Sequence, residues 1–574
     1  MKRKPDNITF WLNDRLPIPT ALSLSLQQLA YLGALLIVPS LFANSPLLPI
    51  GSGDFLDIAS ATLLIGALAI VLQITGRWGL GAGYYYPMQA TPSVLAIMLL
   101  AGAKGGLAVA YGMVFITGLT QFLLSGVLVH LRNILTVEVA GLAVMLTGVS
   151  TGKVGIEAMF IIDDVMSDKH ELIVAGTTLA VLVFCSIWVS KRYKAFATLF
   201  GLAAGTLLAA SLGMITDDVF RTIDLTPWVR IPDVTRIGWQ LDTEMIGLYV
   251  LMGISLSGVS LGAQTMAQRA LDADWHIPDL KAYGRGLRAE GLCAMLGSFI
   301  NAMPQYGSGG AVGLSTAAGS ASRYLGYWVA GALVFMALFS KFIVLWMLVP
   351  PAVIAGLLLY LSAVLIMTGL RLIASRMLDD RRAIAIGLGL MVGVANPYFV
   401  QGLSASMPAF AEFLRVAGSS TGVLLALMLT LVFRFGAASR AQRHFPVAAT
   451  TPDDLMAFMQ EQGRLWGARR DSVMRVSQTI WEAFDLLAQS DHIQTTPRTL
   501  EVQTRFDDYA LRVRFLYRGV SLPPPPDAPP SPDEILDDPR ASARLSSYLV
   551  SKLARRMHTS ERDGQCQLDL YFDA

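Results

Sequence analysis

The chain is short of charge. Of its 574 residues, 15% are Asp, Glu, Lys or Arg, where a soluble domain carries roughly 25%. Hydrophobic residues make up 54%, and the mean hydropathy is +0.53. Together these exclude an ordinary soluble protein and indicate a polytopic membrane protein. Cysteine is scarce too: Cys185 and Cys293 lie in apolar segments and Cys566 near the end. Three such residues give no disulfide framework and no metal-ligand spacing, and they read as small buried hydrophobes. The opening stretch, MKRKPDNITFWLNDRLP, has basic residues but no short apolar core with a cleavage site. It reads as a cytoplasmic tail and not as a signal peptide. The formal net charge of +2 says nothing about partners, because the charges are segregated along the chain.

What the chain has in plenty is apolar runs of helical length. They fall near 20–43, 57–76, 106–129, 136–152, 171–190, 195–215, 244–266, 286–302, 324–348, 351–373, 382–397 and 417–435. Two further stretches, near 83–101 and 304–321, are interrupted by glycine and proline, and adding them predicts fourteen spans. With the N-terminus inside, the inner loops collect Arg77, Arg132, Lys191, Arg192, Arg269, Lys281, Arg285, Arg323, Arg376 and Arg381. The outer loops collect Asp54, Asp57, Asp163, Asp164 and the acidic part of the 216–243 loop. That loop also holds Arg221, Arg230 and Arg236, and Lys104 and Lys153 fall outside as well. The balance follows the positive-inside rule with both ends in the cytoplasm.

The two interrupted stretches stand at matching places. GLGAGYYYPMQATPS (79–93) and MPQYGSGGAVGLSTAAGSASR (303–323) are each the third span of their half. They are too rich in glycine for lipid-facing helices. Irregular backbone at membrane depth survives only where it is buried in protein or lines a wet cavity. A pair of broken segments in two halves is the sequence signature of a transporter's substrate site. Seven spans per half force the halves into opposite orientations, an inverted repeat. The competing reading is that small residues merely let two helices pack closely.

After Arg434 the chain turns polar, with no further span. Helices are predicted near 452–465 and near 470–489, where Val473, Val476, Ile480, Phe484 and Leu487 recur at helical spacing. Thr499–Arg505 and Tyr509–Tyr517 alternate as strands do. A Pro-rich loop (521–532), a helix near 541–557 and a closing strand, Gln565–Phe572, complete a small α+β domain. The expected organisation is therefore a tail (1–16), a transmembrane transporter domain (17–435) and a cytosolic, regulatory α+β domain (436–574).

The stretch GRGLRAEGLCAMLGSFINAMPQYGSGGAVGLSTAAGSASR (284–323) resembles the pattern of the nucleobase–ascorbate transporter family, the uracil/xanthine permeases. Arg285, Gly286, Glu290, Gly291, Gly297, Pro304, Gly313, Ser322 and Arg323 occupy matching positions. LQQLAYLGALLIVP (26–39) is similar to the family's first span and VPPAVIAGLLLYL (349–361) to its twelfth. The similarity covers roughly 15–435. It implies a core and a gate domain, with solute held between half-helices 3 and 10 and spans 1 and 8, short strands preceding those half-helices.

The departures from the family matter as much. The Gln-His pair of its first span falls on Leu26 and Gln27, the Glu of span 8 on Ser255, and the Glu/Gln-Asn of span 10 on Gly310 and Ala311. The gripping carboxylates are absent. The site is instead expected to draw on Gln27, Gln28, Gln89, Thr91, Ser93, Ser255, Gln305, Tyr306, Gly307, Ser308 and Gly309, with Ser257 and Gln264 nearby. Amides and hydroxyls both donate and accept, which suits a neutral heterocycle. They also suit an anion at the half-helix N-termini. Glu138 and Glu290 are the candidates for coupling-ion residues, since a carboxylate in a span is functional by default; Glu290, near Arg288, has a structural reading as well. Tyr84, Tyr85 and Tyr86 read as interfacial anchors or as cavity lining.

The tail resembles the ATP-binding fold of histidine kinases and anti-sigma factors in its order of elements, with Glu482 on the first long helix. Yet the Asn-box asparagine and the Asp-x-Gly-x-Gly loop are missing, and Tyr517, Gly519 and Ser521 stand in their place. No catalytic residue, metal or cofactor is expected anywhere in the chain. The expected protein is a multi-pass carrier of the cell (inner or plasma) membrane. It moves a purine, pyrimidine or related solute by alternating access and is not an enzyme. An anion carrier of the related sulfate/bicarbonate-type fold and a solute-sensing receptor signalling through the tail are the alternatives. Partners are the small-molecule solute and the lipid bilayer, with no nucleic acid. Carriers of this fold often pair, so a homodimer is expected, as is a cytosolic partner of the tail.

Overall fold

The computed structural model describes residues 3–573 apart from short stretches. These are chiefly most of 34–51, 91–93, 128–135, 191–196, most of 216–222, 234–236, 346–348, most of 375–379, most of 408–419, 434–439, 490–492, 495–497 and most of 532–537. The chain forms two compact units. One holds Met1–Ile373 with Ile386–Met428, the other Ala374–Ala385 with Leu429–Ala574.

The first unit is helical. In chain order it contains α1 (Ile18–Gly33), α2 (Ser52–Thr75), β1 (Met88–Ala90) and α3 (Leu95–Val127). After these come α4 (Val137–Phe160), a two-residue hairpin of β2 (Ile161–Ile162) and β3 (Val165–Met166), α5 (Lys169–Ile187), α6 (Ala197–Ser211), α7 (Ile246–Arg269) and α8 (Leu280–Phe299). The second half continues with β4 (Gln305–Gly307), α9 (Gly309–Ala317), α10 (Tyr324–Leu338), α11 (Ser340–Leu345), α12 (Pro351–Ile373), α13 (Asp380–Val394), α14 (Asn396–Leu403) and α15 (Ser420–Phe433). Every one of the fourteen apolar or broken stretches thus carries a helix. Among the described residues, 6 helices are long and apolar enough to cross a bilayer by themselves, or 7 with the bent pair α13–α14. Of the others, α9 has 9 residues and α8 carries Lys281, Arg285, Arg288 and Glu290.

Local chemistry sets the helix ends. Helix α8 begins six residues before the apolar run, because Asp279 caps it by accepting from the Lys281 and Ala282 amides, each at 3.0 Å. Helix α3 joins the second half of the first broken span to the next span. Its interior breaks at Gly105 and Gly106, the latter with φ of 77°, a backbone state that glycine adopts without steric cost. Helices α4 and α12 lie in close contact where a Cβ at Gly369 would meet Gly141 O at 2.5 Å. The loop before α7 is tied down by two contacts: Arg230 pairs with Asp57 of α2 at 2.7 Å, and Lys341 of α11 lies 4.7 Å from the Trp228 ring.

Strands β1 and β4, more than two hundred residues apart in the chain, pair antiparallel, with Met88 opposite Gly307, Gln89 opposite Tyr306 and Ala90 opposite Gln305. The Ser308 amide extends the pair by donating to Pro87 O at 2.8 Å. Each strand leads into a helix, β1 into α3 and β4 into α9. This pair is the feature that positions the candidate site.

The second unit is a two-layer α/β sandwich. Its elements are β5 (Arg440–Pro446), α16 (Pro452–Trp466), α17 (Arg470–Gln489), β6 (Thr499–Asp507), β7 (Ala510–Arg518), α18 (Pro539–Leu553), β8 (Arg556–Arg562) and β9 (Gln565–Asp573). The sheet is antiparallel with order β5-β6-β7-β9-β8. Its apolar face, with Val502, Val513, Phe515 and Leu568, packs on Leu455, Phe458, Val476, Ile480 and Phe484 of the helices. Helix α18 closes at Leu553 and not near 557, because the chain enters β8 at Arg556.

Candidate substrate cleft

A cleft opens beside the paired strands, with about 500 Å³ of free space counted out to its mouth. Its floor is Gln89 of β1, Tyr306 and Gly307 of β4, and Gly309 and Gly310 at the start of α9. The rest of the lining is Leu256, Val259 and Ala263 of α7, Val144 and Thr147 of α4, and Leu365 of α12. Among the described residues, the lining carries no charged side chain. Its polar groups are an amide, a phenol and a hydroxyl, together with the first residues of a helix whose amide N–H groups point outward at its N-terminus. The Tyr306 hydroxyl and Gln89 Oε1 are buried without a hydrogen-bond partner among the described residues. Buried polar groups ordinarily find partners, so two orphans side by side on one floor suit a ligand with donors and acceptors on its edge.

Strand alternation divides the remaining residues. Tyr306 faces this cleft, whereas Gln305 lines a second, small pocket on the α2 side, with Thr62, Gly66 and Met88. Its Nε2 donates to Met303 O at 3.1 Å and Thr62 O at 3.5 Å. Ser308 is committed as well: its hydroxyl caps α9 by accepting from the Ala311 amide at 3.2 Å. Gly307 is packed, since a Cβ there would stand 1.5 Å from Tyr86 Oη, while at Gly309 the nearest atom would be Met266 Sδ at 3.1 Å. Gln28 holds α9 through a 3.2 Å bond from its Nε2 to Ala311 O. Gln27 is 1% exposed with both ends of its amide unpartnered among the described residues, and Ser255 is fully buried with an unpartnered hydroxyl. Neither lines the cleft. Thr91 and Ser93 lie outside the described residues.

Behind the cleft runs a buried polar network. Ser260 donates to Glu290 Oε1 at 2.5 Å, which leaves the Tyr86 hydroxyl, 3.1 Å away, as the donor to Ser260. Tyr84 donates to Gln264 at 3.1 Å and accepts from Gln268 at 3.2 Å; Tyr283 donates to Ser257 O at 2.5 Å. Tyr84, Tyr85 and Tyr86 are buried, at 0–4% exposure, and are not interfacial anchors. Glu290 is 0% exposed and does not reach the surface. Glu138 sits in the first turn of α4, 1% exposed, where a carboxylate complements the helix dipole. Neither carboxylate lines the cleft.

A sequence model of the Permease family matches residues 19–402. The chain belongs to that family. It is the nucleobase–ascorbate transporter family that the 284–323 stretch resembles. Among its relatives, the xanthine permease XanP of Escherichia coli (strain K12) is 24% identical over 446 residues, covering 74% of this chain and 94% of XanP. The uric acid permease PucJ of Bacillus subtilis (strain 168) is 24% identical over 432 residues, covering 72% of this chain and 92% of PucJ. Of solved structures, the transmembrane domain of the cyanobacterial bicarbonate transporter BicA is similar at TM-score 0.44 and 14% identity. It covers 72% of this chain and 96% of that domain. Murine Slc26a9, an anion transporter, is similar at TM-score 0.46 and 14% identity, with 74% of this chain and 70% of that one covered. These likenesses are too distant to inform the function. The family match ends before the sheet and helices of residues 440–573.

The permease's cleft also contains residues that sequence reasoning does not single out. Thr147, Val144 and Leu365 come from spans 5 and 12, and Leu256 adjoins Ser255 on α7. A threonine among apolar residues at helical spacing carries no local signal of a site.

Proposed function

We propose that this permease is a secondary carrier of a nucleobase-like solute of the xanthine, uric acid and uracil class. The observation that carries the reading is the uncharged cleft at the β1–β4 pair, where Gln89 and Tyr306 offer unpartnered polar atoms beside an apolar wall. A planar heterocycle fits both halves of that lining, stacking on the apolar wall while its edge meets the amide and phenol. The relatives' names support the same class of solute. Residues 17–435 form the transporter domain in this reading. They make fourteen spans in two inverted halves of seven, with broken spans 3 and 10 meeting at the strands, and both chain ends lie in the cytoplasm. Residues 436–574 form a cytosolic regulatory domain. Gln89, Tyr306, Gly307 and Gly309 make the floor of the solute site, while Gln27, Gln28, Ser255, Gln305 and Ser308 support it. Thr91 and Ser93, which follow β1 in the chain, are further candidates for contact with the solute.

The test is uptake of labelled xanthine, urate and uracil into vesicles carrying the full chain. Saturable uptake of one of them, inhibited by the others, is the expected result. Uptake of sulfate or bicarbonate without any nucleobase uptake overturns the reading in favour of an anion carrier. Nucleobase binding with no uptake overturns it in favour of a receptor.

A further inference from the structure

Helices cover one face of the second unit's sheet. The other face is strung with arginine. In the ladder, Arg440 on β5 stands opposite Arg505 on β6, and Arg505 opposite Arg512 on β7. Like charges directly opposite one another destabilise a sheet. Strand alternation adds Arg514 to the same face. One carboxylate answers them in part. Asp569 accepts from Arg512 at 2.7 and 3.1 Å and from Arg514 at 2.9 and 3.4 Å. Its single charge is thereby committed to β7. Arg440 and Arg505 are exposed and have no ion-pair partner among the described residues. Glu501, on the same face, accepts from Gln503 at 2.8 Å. The four arginines, with Gln442 and Gln503, line an open depression of about 890 Å³. The guanidinium fork matches phosphate oxygens, so the uncompensated charge is of the right kind for a phosphate-bearing surface.

Chain length decides which surface. Six residues separate β5 from α15, whose sequence STGVLLALMLTLVF is that of a membrane segment. Even at full stretch, Arg440 stays within about 25 Å of Phe433. A tether this short holds the arginines near lipid headgroups at high effective concentration. We propose that the arginine face of the C-terminal sheet docks on the anionic phospholipid headgroups of the membrane that holds the carrier. This goes beyond the transport reading and does not depend on the solute.

The test uses the full chain with Gln442→Cys carrying a nitroxide. The three native cysteines are buried, so labelling is selective. The chain is placed in nanodiscs of phosphatidylcholine, with or without phosphatidylglycerol. The label's accessibility to an aqueous relaxing agent is expected to fall in the anionic discs alone and to recover at high salt. Each arginine near an anionic surface is worth about fivefold in partitioning. The Arg440→Gln, Arg505→Gln double variant should therefore cut docking about 25-fold, with the melting temperature unchanged, while the corresponding Lys variants retain it. Equal accessibility in both discs overturns the proposal. So does protection by dissolved inorganic phosphate, or by an RNA oligonucleotide, without any effect of phosphatidylglycerol.

Discussion

Gln89 and Tyr306 stand directly opposite each other across the β1–β4 pair, and both line the cleft. The Tyr306 hydroxyl has no partner among the described residues. Removing it by Tyr306→Phe keeps the ring and its packing. If the hydroxyl meets the solute, affinity should fall about fivefold, the equivalent of about 1 kcal/mol for a neutral hydrogen bond. Gln305→Ala should fall short of that, because Gln305 is bonded to backbone on the other side of the strand. Competition binding on purified protein distinguishes the two; equal losses would mean that Gln305, and not Tyr306 alone, meets the solute.

Two neighbouring glycines should answer differently. A methyl at Gly307 lands 1.5 Å from Tyr86 Oη, and Tyr86 is fully buried and bonded to Ser260. Gly307→Ala should cost about 1–3 kcal/mol of stability through overpacking. At Gly309 the nearest atom is a flexible methionine sulfur at 3.1 Å. Gly309→Ala should melt close to wild type while weakening solute binding. Thermal unfolding and binding measured on the same samples check both.

Among the described residues no carboxylate lines the cleft, and Glu290 is engaged by Ser260 behind it. Uptake is therefore expected to depend weakly on pH and to survive Glu290→Gln, since glutamine still offers an acceptor to the serine. Proton-driven accumulation that Glu290→Gln or Glu138→Gln abolishes would make that residue the coupling site instead.

Asp569 gives a pH signature in the second unit. Burial alone would raise its pKa, but hydrogen bonds from Arg512 and Arg514 outweigh that and hold it below the ordinary range. A carboxyl whose folded pKa is depressed contributes stability that is fully present above the unfolded value of about 3.9 and is lost as pH falls through the folded value. Hydrogen exchange at the β7 and β9 amides, corrected for intrinsic rates, should thus show constant protection from neutral pH down to about pH 5 and a loss below about pH 4. Asp569→Asn should remove the acid-dependent step. With both arginines about a third exposed, its cost at neutral pH is about 1 kcal/mol.

The tail's order of elements resembles an ATPase fold without its chemistry. Tyr517 accepts from the Leu522 amide at 3.2 Å where a nucleotide-binding loop would open. Full-length protein incubated with Mg-ATP should release no phosphate above background, and Glu482→Ala should change nothing.

The sequence by itself determined the membrane class, because scarce charge and long apolar runs permit no other solvent. It located the fourteen helical stretches and both broken segments, since helical length and glycine interruptions are local properties. In the tail it gave helices α16, α17 and α18 and the inner strands β6, β7 and β9 from periodicity. It missed β5 and β8, which are the two edges of the sheet. Edge strands such as RAQRHFP and RMHTSER are polar on purpose, which blunts pairing with other chains and erases the alternation that reveals a strand.

Only the tertiary structure decided which side chains share a space. The pairing of residues 88–90 with 305–307 joins chain segments more than two hundred residues apart, and no local pattern encodes its register. That register put Tyr306 into the cleft and Gln305 away from it, while helix packing buried Tyr84, Tyr85 and Tyr86 and brought Thr147 and Leu365 in from other helices. The arginine row is of the same kind. Arg440, Arg505 and Arg512 are scattered in sequence and meet only when three strands align, because a ladder fixes which residues face one another and composition does not.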